Sequence, residues 1–452
     1  MDESDPTPLA TAWREIGEET GLTAKSVRLF RQGKPYAFAD ESIGREWIIN
    51  PFSFVLLPES EGGIGETGIR LDWEHDGYKW FSPDQVSDDE AFGGVPRLLE
   101  SFRRVWFNID LGDEAGNALG LGLRTLQDDH ESGARQLAST ALSVFADVIE
   151  KIKPENKYEW WCNVRFAGWH LWKNGRESMG ASVLSVVLDS LSIIESKLPS
   201  QDQLPQDFPS NIAQALKEYG DERHLSAQEI SKQFTLFLST KFSTTNPIKI
   251  LTLSSSSTIT SSLIETLSKT SMAIDLRILE SRPLFEGASM AKKIATGRET
   301  VSSSKITIYT DASAAIASAD IEILVLGADL IDRDGNVSNK VGSLPAVLSA
   351  KHISPSAEIV VLSEKDKILP YDPPGHEEND PKELTGAWTA NVRDLVETPS
   401  SLEVEVKNVY FEWIARSLIS HYITEDGVSK ADDITKWAHE RRKQADGFFD
   451  SL

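Results

Sequence analysis

Two sets of residues in this 452-residue chain have the types and spacing for chemistry. The first lies in residues 327–343, GADLIDRDGNVSNKVGS. Asp329 follows an apolar run, residues 321–326 (IEILVL), that predicts a central parallel strand covered on both faces. Asp334, Gly335 and Asn336 predict a turn, and Asn339 and Lys340 stand just before the apolar-periodic segment 341–352. In an open parallel sheet, ligands bind beyond the carboxyl ends of the strands, where helix N-termini offer free N–H groups to anions. A carboxylate, an amide and an ammonium therefore meet where a phosphate can dock. The second set is Glu15, Glu18 and Glu19, at i, i+3 and i+4. Three carboxylates on one helix face form a ligand set for Mg²⁺, a hard cation that bridges to substrate phosphates, or else a solvated acidic face. Arg14 is placed to hold one of them.

The elements that must carry these residues follow from periodicity. Thr7 suits an N-cap, Pro8 the first helical position and Gly21 the left-handed residue after the helix, with Leu9, Ala12, Trp13 and Ile16 on its apolar face. Residues 88–106 read as a junction, with Gly93-Gly94 and an amphipathic helix over 95–107. From 110 to 197 the period is helical, with Leu137, Ala141, Val144 and Val148 as one stripe. Trp160, Trp161, Trp169 and Trp172 there predict core or interface anchors, and Cys162 among them an inert buried thiol. Residues 199–210, with three prolines, predict a loop before further helix over 212–240. Strands and helices then alternate from 247 to 362, which predicts a doubly wound parallel sheet. Residues 431–452 predict a charged terminal helix, and His376, Glu377, Glu378 and Asp380 an acidic loop whose spacing fits no standard metal site.

Composition sets limits. The formal charge of −24 disfavours direct nucleic-acid or anionic-membrane binding, and 40% hydrophobic residues support ordinary cores. One cysteine excludes an intrachain disulfide, no apolar run approaches the roughly 20 residues of a membrane span, and no signal peptide opens the chain, so the cytoplasm is the expected compartment.

Residues 327–343 resemble a signature shared by methylthioribose-1-phosphate isomerase, ribose-1,5-bisphosphate isomerase and the regulatory alpha, beta and delta subunits of translation initiation factor 2B. Further matches follow in the same order: residues 132–135 (SGAR), 176–179 (RESM), 280–287 (ESRPLFEG), 364–368 (EKDKI) and 408–427 (NVYFEWIARSLISHYITEDG). The resemblance implies a helical bundle over 107–246 closing on a Rossmann-like domain over 247–430. It also implies a phosphorylated sugar or nucleotide held by Gly133, Arg176, Asn339, Lys340 and Lys367, and a homo-oligomer or an initiation-factor-type assembly. In the isomerases a cysteine after the first strand acts with the aspartate at the position of Asp329. Ser254 stands at the cysteine position here, within ILTLSSSS, and Glu286 replaces a neutral glutamine. Both departures predict binding without isomerisation.

Ahead of this, REIGEETGL resembles the second half of the Nudix box, whose Mg²⁺ serves hydrolysis of substituted nucleoside diphosphates. Residues 1–88 would then form a Nudix-like α/β module, joined through 89–106, with Glu15, Glu18 and Glu19 as metal ligands and Glu15 also in a catalytic role. The first half of the box is absent, with Pro6 where its glutamate belongs, so the module is expected to be N-terminally incomplete. The alternative reading is a Mg-dependent pyrophosphohydrolase regulated by the larger domain.

Overall fold

The computed structural model describes every residue except 1–4, 42, 130–131, 154–155, 224, 243–245, 271, 298–303, 374, 376–377 and 398–403, and omits the side chains of Ser178 and Glu397. His376 and Glu377 thus lie outside the described residues. The N-terminal module opens with α1 (Pro8–Thr20), capped by the Thr7 hydroxyl and closed by left-handed Gly21 as its sequence predicts. Four strands follow: β1 (Val27–Gln32), β2 (Tyr36–Asp40), β3 (Arg45–Ile49) and β4 (Phe52–Leu56). They pair antiparallel as β1 with β4 and β2 with β3. No residue of α1 is fully buried, and Trp13 meets Phe54 edge-on at 4.8 Å.

The linker helix is shorter than its pattern predicts. It runs only as α2 (Leu98–Arg103), because Arg97 adopts a left-handed φ of 63° and Val95 stays exposed. Phe107, expected at its end, is instead fully buried at the start of the next helix. The bundle comprises α3 (Asn108–Asp128), α4 (Ala134–Lys151), α5 (Lys157–Asn174), α6 (Gly180–Lys197) and α7 (Phe208–Arg223) around one apolar core. Trp160, Trp169 and Trp172 are buried in it, and Trp161 packs on it part-buried. Cys162 is only partly buried, a correction to the buried thiol expected, with the Arg165 Nη2 3.2 Å from its Sγ.

After α8 (Ser226–Lys241) the chain alternates β5 (Ile248–Thr252), α9 (Ser257–Lys269), β6 (Ile274–Leu279), α10 (Glu286–Thr296), β7 (Lys305–Tyr309), α11 (Ala314–Ala317) and β8 (Ile323–Leu326). A short hairpin, β9 (Leu330–Ile331) and β10 (Val337–Lys340), precedes α12 (Ser343–Ile353) and β11 (Glu358–Leu362). The remainder is α13 (Lys382–Thr385), α14 (Ala390–Glu397), β12 (Phe411–Ile414), β13 (His421–Thr424), β14 (Gly427–Ser429) and α15 (Ala431–Phe449). The main sheet has the order β14-β13-β11-β8-β5-β6-β7, parallel except for β14. Its apolar strands sit between two cores, one shared with α8, α9 and α10 and the other with α11, α12 and the first half of α15. A doubly wound α/β fold therefore stands as expected. From β5 the strand order grows outward in both directions, so β5 and β8 flank the switch point where such sheets bind ligands.

Candidate functional site

The loops leaving β5 and β8 open into one cavity of about 1100 Å³ between sheet and bundle. Gly327 lets them approach, since a Cβ there would lie 3.2 Å from Ser256. From the β5 side come Ser254 to Ser257, and from the β8 side Gly327 to Asp329. Ser254 has a left-handed φ of 70°, and its N–H donates to Ser281 Oγ at 2.7 Å. The bundle contributes the start of α4, at Gly133 with no side-chain cap, together with Arg176.

The hairpin was not expected: residues 327–343 read as strand, turn and helix, whereas β10 pairs with β9 and β12 and carries Asn339 and Lys340 within a strand. Two-residue β9 is too short to show as a period. The helix N-terminus expected to take a phosphate is also occupied. Glu412 Oε1 accepts from the backbone N–H of Gly342 at 2.6 Å and of Leu344 at 2.9 Å, which places a carboxylate on the start of α12. The start of α4 carries no side-chain cap, whereas at the start of α9 the Ser256 hydroxyl accepts from the Ile259 N–H at 3.3 Å.

All the predicted ligand-binding residues nevertheless line the same cavity: Gly133, Arg176, Asn339, Lys340 and Lys367, with Asp329 and Ser254 beside them. Arg176 is buried, and its Nη1 donates to the Asp129 carbonyl at 2.7 Å. Asn339 donates to Ser343 Oγ at 2.9 Å. Lys340 Nζ lies 2.8 Å from Glu286 Oε2 and 4.1 Å from the centre of the Tyr410 ring. Lys367 Nζ donates to the Ala328 carbonyl at 2.6 Å. Asp329 is open to the cavity but enclosed by protein. Burial pushes its carboxyl above the usual range, Glu286 adds to this, and Lys367 opposes it. Burial pushes Lys367 down, against the pull of Asp329. Arg135 pairs with buried Glu364 and donates to Thr258 Oγ1 at 3.1 Å, joining bundle to sheet. Lys293, Glu383 and Tyr410 also line the cavity, and sequence reasoning gave them no role. Tyr410 lies inside a matched motif; Glu383 carries no sequence signal.

Glu15, Glu18 and Glu19 are not gathered for a metal. Arg14 holds two of them, its Nη2 2.6 Å from Glu15 Oε1 and its Nη1 2.6 Å from Glu18 Oε2. Among the described residues no group of three or more His, Cys, Asp or Glu is placed to hold a metal ion. As placed, the donors do not fit Mg²⁺: Arg14 would first have to release them. Among the described residues, no helix is long and apolar enough to cross a membrane.

Comparison with known proteins agrees with this architecture. Residues 1–102 match the NUDIX domain and residues 130–431 the Initiation factor 2 subunit family. Methylthioribose-1-phosphate isomerase of Bacillus pumilus is 30% identical over 169 residues, covering 34% of this chain and 42% of that protein, and that of Marinobacter nauticus is 27% identical over 165 residues with the same coverage. The chain thus matches about two fifths of the length of these relatives. Among solved structures, eIF2B beta from Chaetomium thermophilum superposes with a TM-score of 0.52 at 14% identity, over 75% of this chain and 96% of that one. The 5-methylthioribose 1-phosphate isomerase from Pyrococcus horikoshii gives 0.50 at 17% identity, over 72% and 87%. At these identities the superpositions speak for the fold. The match over more than half of its length places the chain in the Initiation factor 2 subunit family, behind an N-terminal NUDIX domain.

Proposed function

We propose that this chain is a regulatory-subunit-like binding protein that takes a sugar phosphate or a nucleoside monophosphate without isomerising it, and that the NUDIX module is appended to that function. The observation that carries the reading is the pairing of Asp329 with Ser254 in one cavity with Arg176, Asn339, Lys340 and Lys367. Isomerising a sugar needs a proton donor and an acceptor in the same dry pocket. Asp329 supplies one such group, with its pKa raised by burial. Its counterpart is a hydroxyl, and among the described residues no base hydrogen-bonds the Ser254 side chain. A serine hydroxyl is not an acid near neutral pH without such a partner. The cations that would hold a phosphate line the cavity, and the curated relatives are named for a sugar phosphate, which supports the reading.

The test is direct incubation with methylthioribose-1-phosphate and with ribose 1,5-bisphosphate. No conversion above buffer is expected, and turnover abolished by Asp329→Asn would contradict the reading. Assembly belongs to the same proposal: a solved relative is a tetrameric eIF2B beta-delta complex, and edge strand β7 here leaves Ile308 exposed. A second reading, a NUDIX-type pyrophosphohydrolase of nucleoside diphosphate derivatives using Mg²⁺ and regulated by the larger domain, is favoured by one observation. Residues 1–102 match the NUDIX domain, and the capped helix α1 carries Glu15, Glu18 and Glu19 at the spacing of its motif.

A further inference from the structure

The NUDIX module carries one stretch of large rings that its own packing does not use. Residues 73–82 are exposed throughout and lie outside helix and strand, yet Trp73 is 89% exposed, Trp80 61%, Tyr78 51% and Phe81 43%. Apolar residues scattered singly over a surface are ordinary, whereas large rings gathered this closely mark a contact surface. The stretch is held in place at both ends. Before it, the Arg70 N–H donates to the Thr20 carbonyl at 2.7 Å, and Asp72 Oδ1 accepts from the Glu74 N–H at 3.0 Å. After it, the Ser82 N–H donates to Gln85 Oε1 at 3.1 Å, and Phe81 packs on Phe92 with ring centres 4.9 Å apart. Tyr78 meets Trp80 edge-on at 6.1 Å. Trp and Tyr combine contact area with few rotatable bonds, and for that reason concentrate where partners bind.

The charge around the rings fixes the sign of the partner. Residues 72–90 contain seven carboxylates and one cation, Lys79, whose Nζ lies 4.7 Å from the centre of the Phe81 ring. Glu74, Asp76 and Asp84 stand exposed among the rings. A nucleic acid would bring phosphates against these carboxylates, and a second copy would bring the same acidic surface, in a chain of formal charge −24. A segment rich in Lys or Arg satisfies both features, with its cations lying over ring faces and pairing with the carboxylates between them. The module's own attachment already uses this chemistry. At the two ends of α2, Arg97 lies 4.3 Å from the centre of the Phe38 ring and Arg104 4.6 Å from that of Tyr36. We propose that residues 73–82 form a docking surface for a basic segment of a partner protein.

The experiment is fluorescence anisotropy of labelled Arg-Gly and Lys-Gly repeat peptides with the full chain. A Glu-Gly repeat and a labelled poly(dT) strand run beside them, and light scattering reads the oligomeric state. One double variant, Trp73→Ala with Trp80→Ala, removes the two most exposed of the four rings; another, Glu74→Gln with Asp76→Asn, keeps the rings and removes charge. Asp432→Asn, at a carboxylate 92% exposed on α15, is the control for the chain's general acidity, and thermal melting checks that all three variants fold. At least one basic peptide is expected to bind the wild type, and the Glu-Gly repeat and poly(dT) are not. Each double variant is expected to lose about tenfold or more in affinity, and Asp432→Asn to stay within about twofold. Failure of both basic peptides to bind, or binding that either double variant leaves unchanged, overturns the inference. So does a preference for poly(dT), or a dimer of the wild type that the ring variant dissolves.

Discussion

Glu412 and Glu286 each hold a carboxylate against an expected anion contact, Glu412 on the first N–H groups of α12 and Glu286 beside the Lys340 ammonium. Another carboxylate, Glu425, stands outside the cavity lining against the Lys365 backbone N–H. Burial, reinforced by Asp366 and Asp426 and opposed by the Lys365 backbone N–H, pushes it from 4.5 up to about 7. A carboxyl whose folded pKa exceeds its unfolded one disfavours folding once the unfolded form ionises. Stability is then unaffected below pH 4.5, is lost as pH rises from there to about 7, and is flat above. The loss amounts to at most about 3 kcal/mol. Glu425→Gln should abolish it. Urea unfolding of both proteins from pH 4 to 8 is expected to give a difference that grows over that window, and parallel curves would refute the assignment.

Helix α1 carries the glutamates of its motif in contacts other than a metal site. Its carboxylates lie on one face, yet Glu15 and Glu18 answer Arg14, and no residue of the helix is fully buried to hold the site rigid. Loosely placed metal sites forfeit orders of magnitude in rate. With ADP-ribose or dinucleoside polyphosphates and Mg²⁺ or Mn²⁺, hydrolysis is expected to stay at the level of Glu18→Gln. Robust turnover lost in that variant would make the pyrophosphohydrolase reading the leading one. The strands and helices from β5 to β11 were legible because buried parallel strands appear as unbroken apolar runs, and the caps of α1 because Thr, Pro and Gly mark helix ends. The hairpin of β9 and β10 was not legible, since pairing with β12 joins residues some 70 positions apart and leaves no local period. Nor was the truncation of α2, which depends on Arg97 adopting a left-handed backbone that its side chain does not announce. The cavity residues near α4, β8 and β10 were found by motif; Glu383 was missed because only the fold brings it there.

Two of the three cores are joined by one helix. The second half of α15 places Ala445, Phe448 and Phe449 in the bundle core, and its first half places Ile434 and Ala438 against the sheet. That gives the terminal helix, for which the sequence suggested no role, a bracing one. The NUDIX module docks through β1. The Asn174 amide accepts from the Gln32 N–H at 2.7 Å and donates to the Gln32 carbonyl at 2.9 Å, in the manner of a neighbouring strand. Arg31 stacks 3.9 Å from the centre of the Phe107 ring and donates to the Val105 carbonyl at 3.2 Å. Asn174→Ala leaves both Gln32 groups without partners, a cost of about 1–3 kcal/mol for each buried polar group. Faster proteolysis between residues 88 and 107 is the expected result, and an unchanged cleavage rate would show that the docking rests elsewhere.

The central claim, a phosphate pocket that binds without isomerising, meets its most direct test in calorimetry of the full chain with a panel of sugar monophosphates and nucleoside monophosphates. At least one is expected to bind the wild type. Lys340→Ala should weaken that binding by roughly 1.5–3 kcal/mol, the range for hydrogen bonds to charged groups, because it removes the ammonium and leaves Glu286 facing the ligand. Failure of every compound to bind, or equal binding by Lys340→Ala, would contradict the account.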